Sequence, residues 1–313
     1  MIELKDLKHV APKGQGYFCI VKQYVNAEGK NFALKELKKE HYTNEEYRYR
    51  LLREINMLKT LQGCNNIIRL VNHGNSADDH SMWYLMPYAR YNLYEYIKKY
   101  NQGISQDTRF EIVEQIINAI KYAHDRDILH RDISPNNILV FFKGGKETIK
   151  VTDFGLGKTT ESMSNYTGSS ASNYGQILYV SPEQRKKLKD SSVQSDIFSL
   201  GKLIYFVFTG KDPDNIKVFE LSSLVTKAID ENPMNRFNNM DELKERFDAL
   251  KNLYVDKDSP IEYITLEEYL KSGEELEYTK FHTILVNGKY ITHPYHDYIS
   301  EVNSYFLTSG NLE

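Results

Sequence analysis

Residues 195–209 run from Ser195 to Thr209 and are apolar almost all round a helical wheel. A helix without a broad polar face belongs at the centre of a domain, because every side it presents must leave water. Gly210 follows as a helix stop. Residues 106–123 supply a neighbour for it, with Val113, Ile116, Ile117 and Ile120 on one side of a second helix. Upstream the pattern differs. Residues 17–36 alternate loosely and carry Phe18, Ile20, Val21, Val25 and Phe32, interrupted by the turn signal Asn26-Ala27-Glu28-Gly29. One helix stands among these strands: Tyr47, Leu51, Ile55 and Leu58 share a face of residues 44–61. Short apolar runs at 67–72 and 82–88 read as further strands. Strands early and helices late predict an α+β protein of two segregated lobes, linked by Pro87-Tyr88-Ala89-Arg90, with a ligand cleft at the junction. The expected division is a lobe over 1–87, a second over 88–252, and an extension over 253–313.

Charge marks the last boundary. Residues 253–313 carry 11 acidic and 4 basic side chains, although the whole chain has a net charge of only −3. Such an acidic module could dock a partner, or the basic body of its own chain. The near-neutral whole gives no electrostatic case for nucleic acid. The longest apolar run, Leu203 to Phe208, is too short to cross a bilayer. Two cysteines, Cys19 and Cys64, make no disulfide framework and fit a reducing compartment. The charged start Met1-Ile2-Glu3-Leu4-Lys5-Asp6 lacks the apolar core of a signal peptide. A soluble cytoplasmic protein without a membrane anchor is therefore expected.

The polar landmarks form a phosphoryl-transfer set when taken in order. Gly14-Gln15-Gly16 opens a turn between strands, where absent Cβ atoms let backbone approach phosphates. Lys35 lies on the next strand, where a cation could meet phosphate oxygens, and Glu54 on the following helix could keep it charged. Asp132 and Asn137 share a tight loop through Pro135. A carboxylate there can accept the proton of an incoming hydroxyl, and an amide oxygen can ligate Mg²⁺. Asp153, at a strand end before Gly155, supplies a second hard-oxygen ligand. Phosphoryl transfer asks a protein mainly for positioning and charge neutralisation.

In these motifs, His130-Arg131-Asp132 through Asn137 and Asp153-Phe154-Gly155, the sequence resembles the eukaryotic-type protein kinase family over roughly residues 8–252. The resemblance implies a two-lobed fold, with a small antiparallel sheet plus one helix above a mainly helical lobe. It implies an ATP-dependent kinase acting with Mg²⁺ or Mn²⁺ on Ser or Thr hydroxyls of protein substrates, with Tyr left open. Catalytic positions are then Lys35, Glu54, Asp132, Ser134 and Asn137, with metal held by Asn137 and Asp153. Nucleotide would meet Gly14, Gly16, Val21, Ala33, Lys35, Met86 as gatekeeper, Pro87 and Ala89 at the hinge, Leu139 and Asp153. Leu58, Leu70, His130 and Phe154 would stack as a regulatory spine. Beyond the chemistry, Ser181-Pro182-Glu183 and Arg236 match the family's Ala-Pro-Glu and its ion-pair partner. Asp196 matches the aspartate that braces the catalytic loop. Small-molecule phosphotransferases generally lack the Pro-Glu segment. The run Tyr179-Val180-Ser181-Pro182-Glu183-Gln184 resembles bacterial kinases of the eukaryotic Ser/Thr type most.

Three departures qualify this. Ser134 stands where Ser/Thr kinases have Lys, and Asn136 where tyrosine kinases have Arg. Losing a comparable charge-stabilising contact costs about 10²–10³ in rate, so a nucleotide-binding pseudokinase or scaffold is the alternative reading, with a small-molecule phosphotransferase behind it. Gln176 replaces the threonine that would contact that lysine, which suggests a rebuilt contact to Asp132 or Ser134. Cys19 takes the third glycine position of the phosphate turn, as a tolerated substitution or a redox gate. Only about ten residues separate Gly210 from a helix near Ser222, where the family fits a docking helix, so docking is expected to move to 253–313. There, Thr265-Leu266-Glu267-Glu268 predicts a helix start and Ile284 to Ile291 a hairpin turning at Asn287-Gly288. His293, His296 and Asp297 offer too few ligands for a metal site. Thr159 to Tyr174 is rich in hydroxyls, and a phosphate there could pair with Arg131.

Overall fold

A computed structural model of the chain describes residues 2–16, 18–76, 80–154, 177–187, 190–255, 282–286 and 289–293. The first lobe is an antiparallel sheet of β1 (Lys8–Gln15), β2 (Cys19–Val25), β3 (Asn31–Leu37), β4 (Asn72–Asn75) and β5 (Met82–Pro87), in the order β1-β2-β3-β5-β4. Helix α1 (Glu45–Thr60) packs on one face, started by the Asn44 side chain accepting the backbone N–H of Tyr47. Strand register decides which residues share that face. Val21 pairs with Lys35, Lys35 with Tyr84, and Ala33 with Met86. Side chains two apart on a strand point the same way, so Val21, Ala33, Lys35, Tyr84 and Met86 all face one side of the sheet. Phe32, Leu34 and Leu85 are buried on the other face, where Ile2, Leu4 and Leu7 cover them.

The second lobe holds α2 (Leu93–Tyr100), α3 (Gln106–His124), α4 (Pro182–Lys186), α5 (Val193–Thr209), α6 (Ser222–Ala228) and α7 (Met240–Val255). A small sheet joins β6 (Tyr91–Asn92), β7 (Ile138–Lys143) and β8 (Lys146–Val151). Helix α5 is the buried centre the sequence predicts: Ile197, Leu200, Leu203, Ile204, Phe206 and Val207 are all fully enclosed. It ends at Gly210, whose left-handed φ of 68° suits a residue without Cβ. Gly201 lets α6 close on α5, since a Cβ there would meet Ala228 Cβ at 2.8 Å. No membrane-crossing helix, long and apolar enough, exists among the described residues.

Two details differ from the sequence reading. The apolar run 67–72 is a connector rather than a strand, and the strand begins only at Asn72. Ile67 makes an isolated parallel bridge to Val151, through Ile68 N–H to the Val151 carbonyl (2.9 Å) and Val151 N–H to that of Asn66 (2.8 Å). A short apolar run looks the same whether it pairs along a sheet or crosses a buried interface. Gly14 lies within β1, paired with Val21, so the turn is tighter than expected and is closed by Gly16 N–H on the Cys19 carbonyl (2.8 Å).

Between Gly210 and Ser222 no helix intervenes. Lys202 donates to the Pro213 carbonyl (2.9 Å) and Tyr205 to that of Asn215 (3.4 Å), holding this short connection down. Helix α7 continues to Val255, past the expected boundary at 252. In the extension, β9 (His282–Val286) pairs antiparallel with β10 (Lys289–His293), Val286 opposite Lys289. The expected turn at Asn287-Gly288, the helix start at Thr265, His296 and Asp297 lie outside the described residues.

Candidate active site

Lys35 and Glu54 meet as the sequence spacing suggested. The Lys35 ammonium lies 2.8 and 3.0 Å from the two Glu54 carboxylate oxygens, and Glu54 is fully buried. The same ammonium lies 3.0 Å from Asp153 Oδ1. Tyr84, opposite Lys35 in the sheet, donates its hydroxyl to Glu54 Oε1 at 2.7 Å. One buried cation thus faces two carboxylates. Burial alone would lower the lysine, but Asp153 and Glu54 more than offset it and hold Lys35 well above the usual range. Burial pushes Glu54 up to about 7 against the pull of Lys35. For Asp153 burial acts upward too, yet Lys35 prevails and keeps it below the ordinary value.

The catalytic loop is held from beneath. Asp196, near the start of α5, accepts the backbone N–H groups of His130 and Arg131 at 2.7 Å each, and His124 Nε2–H at 2.8 Å. Burial would raise its pKa; the His124 bond and the N–H groups hold it down. His130 Nε2–H donates to the Thr152 carbonyl at 3.0 Å, and its Nδ1 accepts the Asp132 backbone N–H at 3.3 Å. Asn137 donates its amide N–H to the Asp132 carbonyl (2.8 Å) and to Asp132 Oδ2 (3.0 Å). That orientation directs the two amide hydrogens to Asp132 and leaves the Asn137 amide oxygen as a hard donor. Arg131 and Asp153 both adopt positive φ, 69° and 63°. This left-handed backbone costs a side-chain-bearing residue about 1–2 kcal/mol, so the loop's bonds keep it in a shape it would not choose alone.

The spine residues are brought together in part. Leu58, His130 and Phe154 are fully buried, with the His130 and Phe154 rings 4.7 Å apart, while Leu70 packs at the core's edge. Ala33 and Met86 are buried and Val21 and Leu139 half-buried, with Val21, Ala33 and Met86 on the sheet face that carries Lys35. Glu183 and Arg236 form a two-pronged ion pair at 2.7 and 3.0 Å, and Ser195 donates to Glu183 as well (2.7 Å). Gln184 on α4 donates to the Arg131 carbonyl at 3.2 Å, tying this segment to the catalytic loop.

Ser134 is buried, and its hydroxyl has no hydrogen-bond partner among the described residues. Gln176, Gly155 and the stretch Thr159 to Tyr174 lie outside those residues. Cys19 corrects the redox reading. Its side chain is 4% exposed within the core, and burial pushes the thiol up to about 12, far from the thiolate that oxidation requires. Sequence reasoning missed Tyr84, His124 and Gln184. Only Tyr84 left a signal, because strand alternation puts Tyr84 and Met86 on one face.

The donor set fits a nucleotide with its divalent metal. Asn137 and Asp153 are oxygen ligands of the kind Mg²⁺ takes. A Cβ on Gly14 would meet nothing within 4 Å, and one on Gly16 only the Cys19 carbonyl at 3.5 Å, so the glycines leave open space rather than filling a packing need.

The protein kinase domain family matches residues 8–264, and the chain belongs to that family. A probable serine/threonine-protein kinase of Clostridium acetobutylicum is 27% identical over 253 residues, covering 73% of this chain and 37% of the relative. The serine/threonine-protein kinase PrkC of Bacillus subtilis is 34% identical over 182 residues, covering 58% and 26%. The match thus spans well under half the length of these two relatives. Among solved structures, Rad53 residues 1–466 in complex with AMP-PNP superposes with a TM-score of 0.57 at 25% identity, covering 78% of this chain and 65% of that one.

Proposed function

We propose that the chain is an ATP-dependent protein kinase that transfers the γ-phosphoryl group to Ser or Thr hydroxyls of proteins. The observation that carries this reading is the Lys35 ammonium held between Glu54 and Asp153 while Asn137 ties itself to Asp132. Lys35 would hold the α- and β-phosphates, with Glu54 keeping it aimed. Asn137 and Asp153 would hold Mg²⁺, which supplies charge neutralisation at the phosphates when bound. Asp132 would accept the proton of the acceptor hydroxyl as that oxygen bonds to phosphorus and the bond to ADP breaks. Val21, Ala33 and Leu139 offer apolar surface for adenine, beside Met86 and the hinge backbone at Pro87 and Ala89.

The names of the relatives support Ser/Thr acceptors. The Glu183–Arg236 pair, which belongs to the segment that small-molecule phosphotransferases generally lack, supports a protein acceptor over a small molecule. Regulation through Arg131 by a phosphate between Thr159 and Tyr174 is part of the same reading. Labelled ATP, generic protein acceptors and phosphoamino-acid analysis test it. Wild type should label Ser and Thr, and Asp132→Asn should lose at least 100-fold. Incorporation that survives Asp132→Asn would overturn the assignment.

A further inference from the structure

A cleft of about 730 Å³ opens at the end of α2, lined by no residue of the catalytic loop or the hinge strip. Its wall is a run of touching aromatic rings. Tyr100 and Tyr96 have centroids 5.3 Å apart and Tyr96 and Phe142 5.9 Å, and Tyr91, outside the lining, stands 5.8 Å from Tyr100. Phe142 is 53% exposed and Tyr100 39%, a large apolar outlay for a surface without cover among the described residues. The cleft is also cationic. Lys99 lies over the Tyr91 and Tyr100 rings at 5.2 and 5.1 Å and donates to the Tyr91 hydroxyl. It has no carboxylate partner among the described residues. Beneath, buried Arg109 spends its bonds on the Asn101 and Val207 carbonyls and the Asn101 side chain. Lys98 is paired with Asp212 at 3.1 Å, and Glu147 accepts from Tyr96. Lys98 and Arg109 thus have acidic neighbours in Asp212 and Glu220, while Lys99 has none among the described residues, so an anionic and partly apolar occupant would be attracted.

We propose that residues 256–281 of this same chain dock in the cleft, acidic side chains on Lys99 and apolar ones on Phe142 and Tyr100. Three observations converge on that occupant. The segment carries 8 Asp or Glu against 3 Lys, interleaved with Ile261, Tyr263, Ile264, Leu266, Tyr269 and Leu270. It follows directly on α7, whose last turns reach the right end of the lobe. Lys251 pairs with Glu114 on α3 at 2.6 Å, and Glu111, one turn earlier on α3, pairs with Lys146 at 3.5 Å. Lys146 begins β8 in the hairpin whose other strand carries Phe142. Finally, the segment is long enough to reach across the lobe, since its 26 residues would span up to about 85 Å at about 3.3 Å per extended residue.

The docking needs no phosphoryl transfer, so its failure and that of the kinase reading are separable. The full chain, without nucleotide, is treated with a zero-length carbodiimide and digested for mass spectrometry. Links from Lys98 or Lys99 to acidic residues of 256–281 are expected, at a yield independent of protein concentration. Phe142→Ser keeps both lysines but removes the apolar anchor, and should cut those links at least fivefold while Lys121–Asp241 linking persists. Amide exchange over 256–281 should quicken in parallel in a Lys99→Glu variant. Links appearing only between isotope-distinct chains would overturn the proposal in favour of a second copy. Links to other surfaces, or none, would overturn it outright.

Discussion

Asp196 Oδ1 accepts the backbone N–H of Arg131 at 2.7 Å, although Arg131 has the left-handed φ of 69°. The carboxylate sits on the buried helix, the N–H in the catalytic loop, so one bond fixes a strained backbone next to Asp132. Replacing Asp196 by Asn turns one acceptor into a donor facing an N–H group. Stability should fall by about 2–3 kcal/mol, measured by urea denaturation. The phosphorylation rate should drop about 100-fold from misplacement of the loop alone.

Glu54 and Asp153 share one lysine, and burial keeps Glu54 partly protonated near neutrality. Activity should therefore decline as pH drops through about 7, because protonation weakens the hold on Lys35. Glu54→Gln should lose at least tenfold in kcat/KM at pH 8 and show no such limb. Its thermal midpoint should stay within a few degrees, since Asp153 still faces Lys35 at 3.0 Å. A pH–rate profile of both proteins reads this.

Glu183 provides the opposite sign. Burial would raise it, but Arg236 and Ser195 prevail and hold it at about 2, below the model-peptide value of 4.5. A depressed carboxylate stabilises the fold above its unfolded value and loses that contribution as pH falls toward its folded one. Wild type should thus lose stability between about pH 4.5 and pH 2. Glu183→Gln should start lower and lose less across that window in thermal unfolding at stepped pH.

Ser134 stands where the resemblance to Ser/Thr kinases implies a lysine, and its hydroxyl is buried and unpartnered among the described residues. An unsatisfied buried polar group costs about 1–3 kcal/mol. Ser134→Ala should leave stability unchanged or raise it, and alter kcat by less than about threefold, under 1 kcal/mol of barrier. A large loss of kcat would assign the hydroxyl a direct part in transfer.

The charged and amide cluster around Lys35 was legible because phosphoryl chemistry restricts residue type and spacing together. Lys35, Glu54, Asp132, Asn137 and Asp153 could be read in order, and the buried helix over 195–209 announced itself by lacking a polar face. What stayed hidden depends on direction in space. That Cys19 points into the core follows from the β2–β3 register, which places it opposite Leu37. His124 and Gln184 are ordinary surface types whose roles arise only once α3 and α4 close on the catalytic loop. The connector at 67–72 misled because apolar content records burial and not pairing.

The bridge between Ile67 and Val151 gives the lobes a second joint, besides the strip running from Pro87 to Tyr91. Two joints define an axis, and a body turning about an axis moves least beside it. Asp153 follows Val151 by two residues, and Lys35 lies 3.0 Å from Asp153, so the charged centre lies close to this second joint. The Gly14–Gly16 turn instead joins β2 to β1, the strand at the sheet's outer edge. On the proposed kinase reading, an opening about these joints would part the glycine turn from a nucleotide sooner than it parted Lys35 from Asp153.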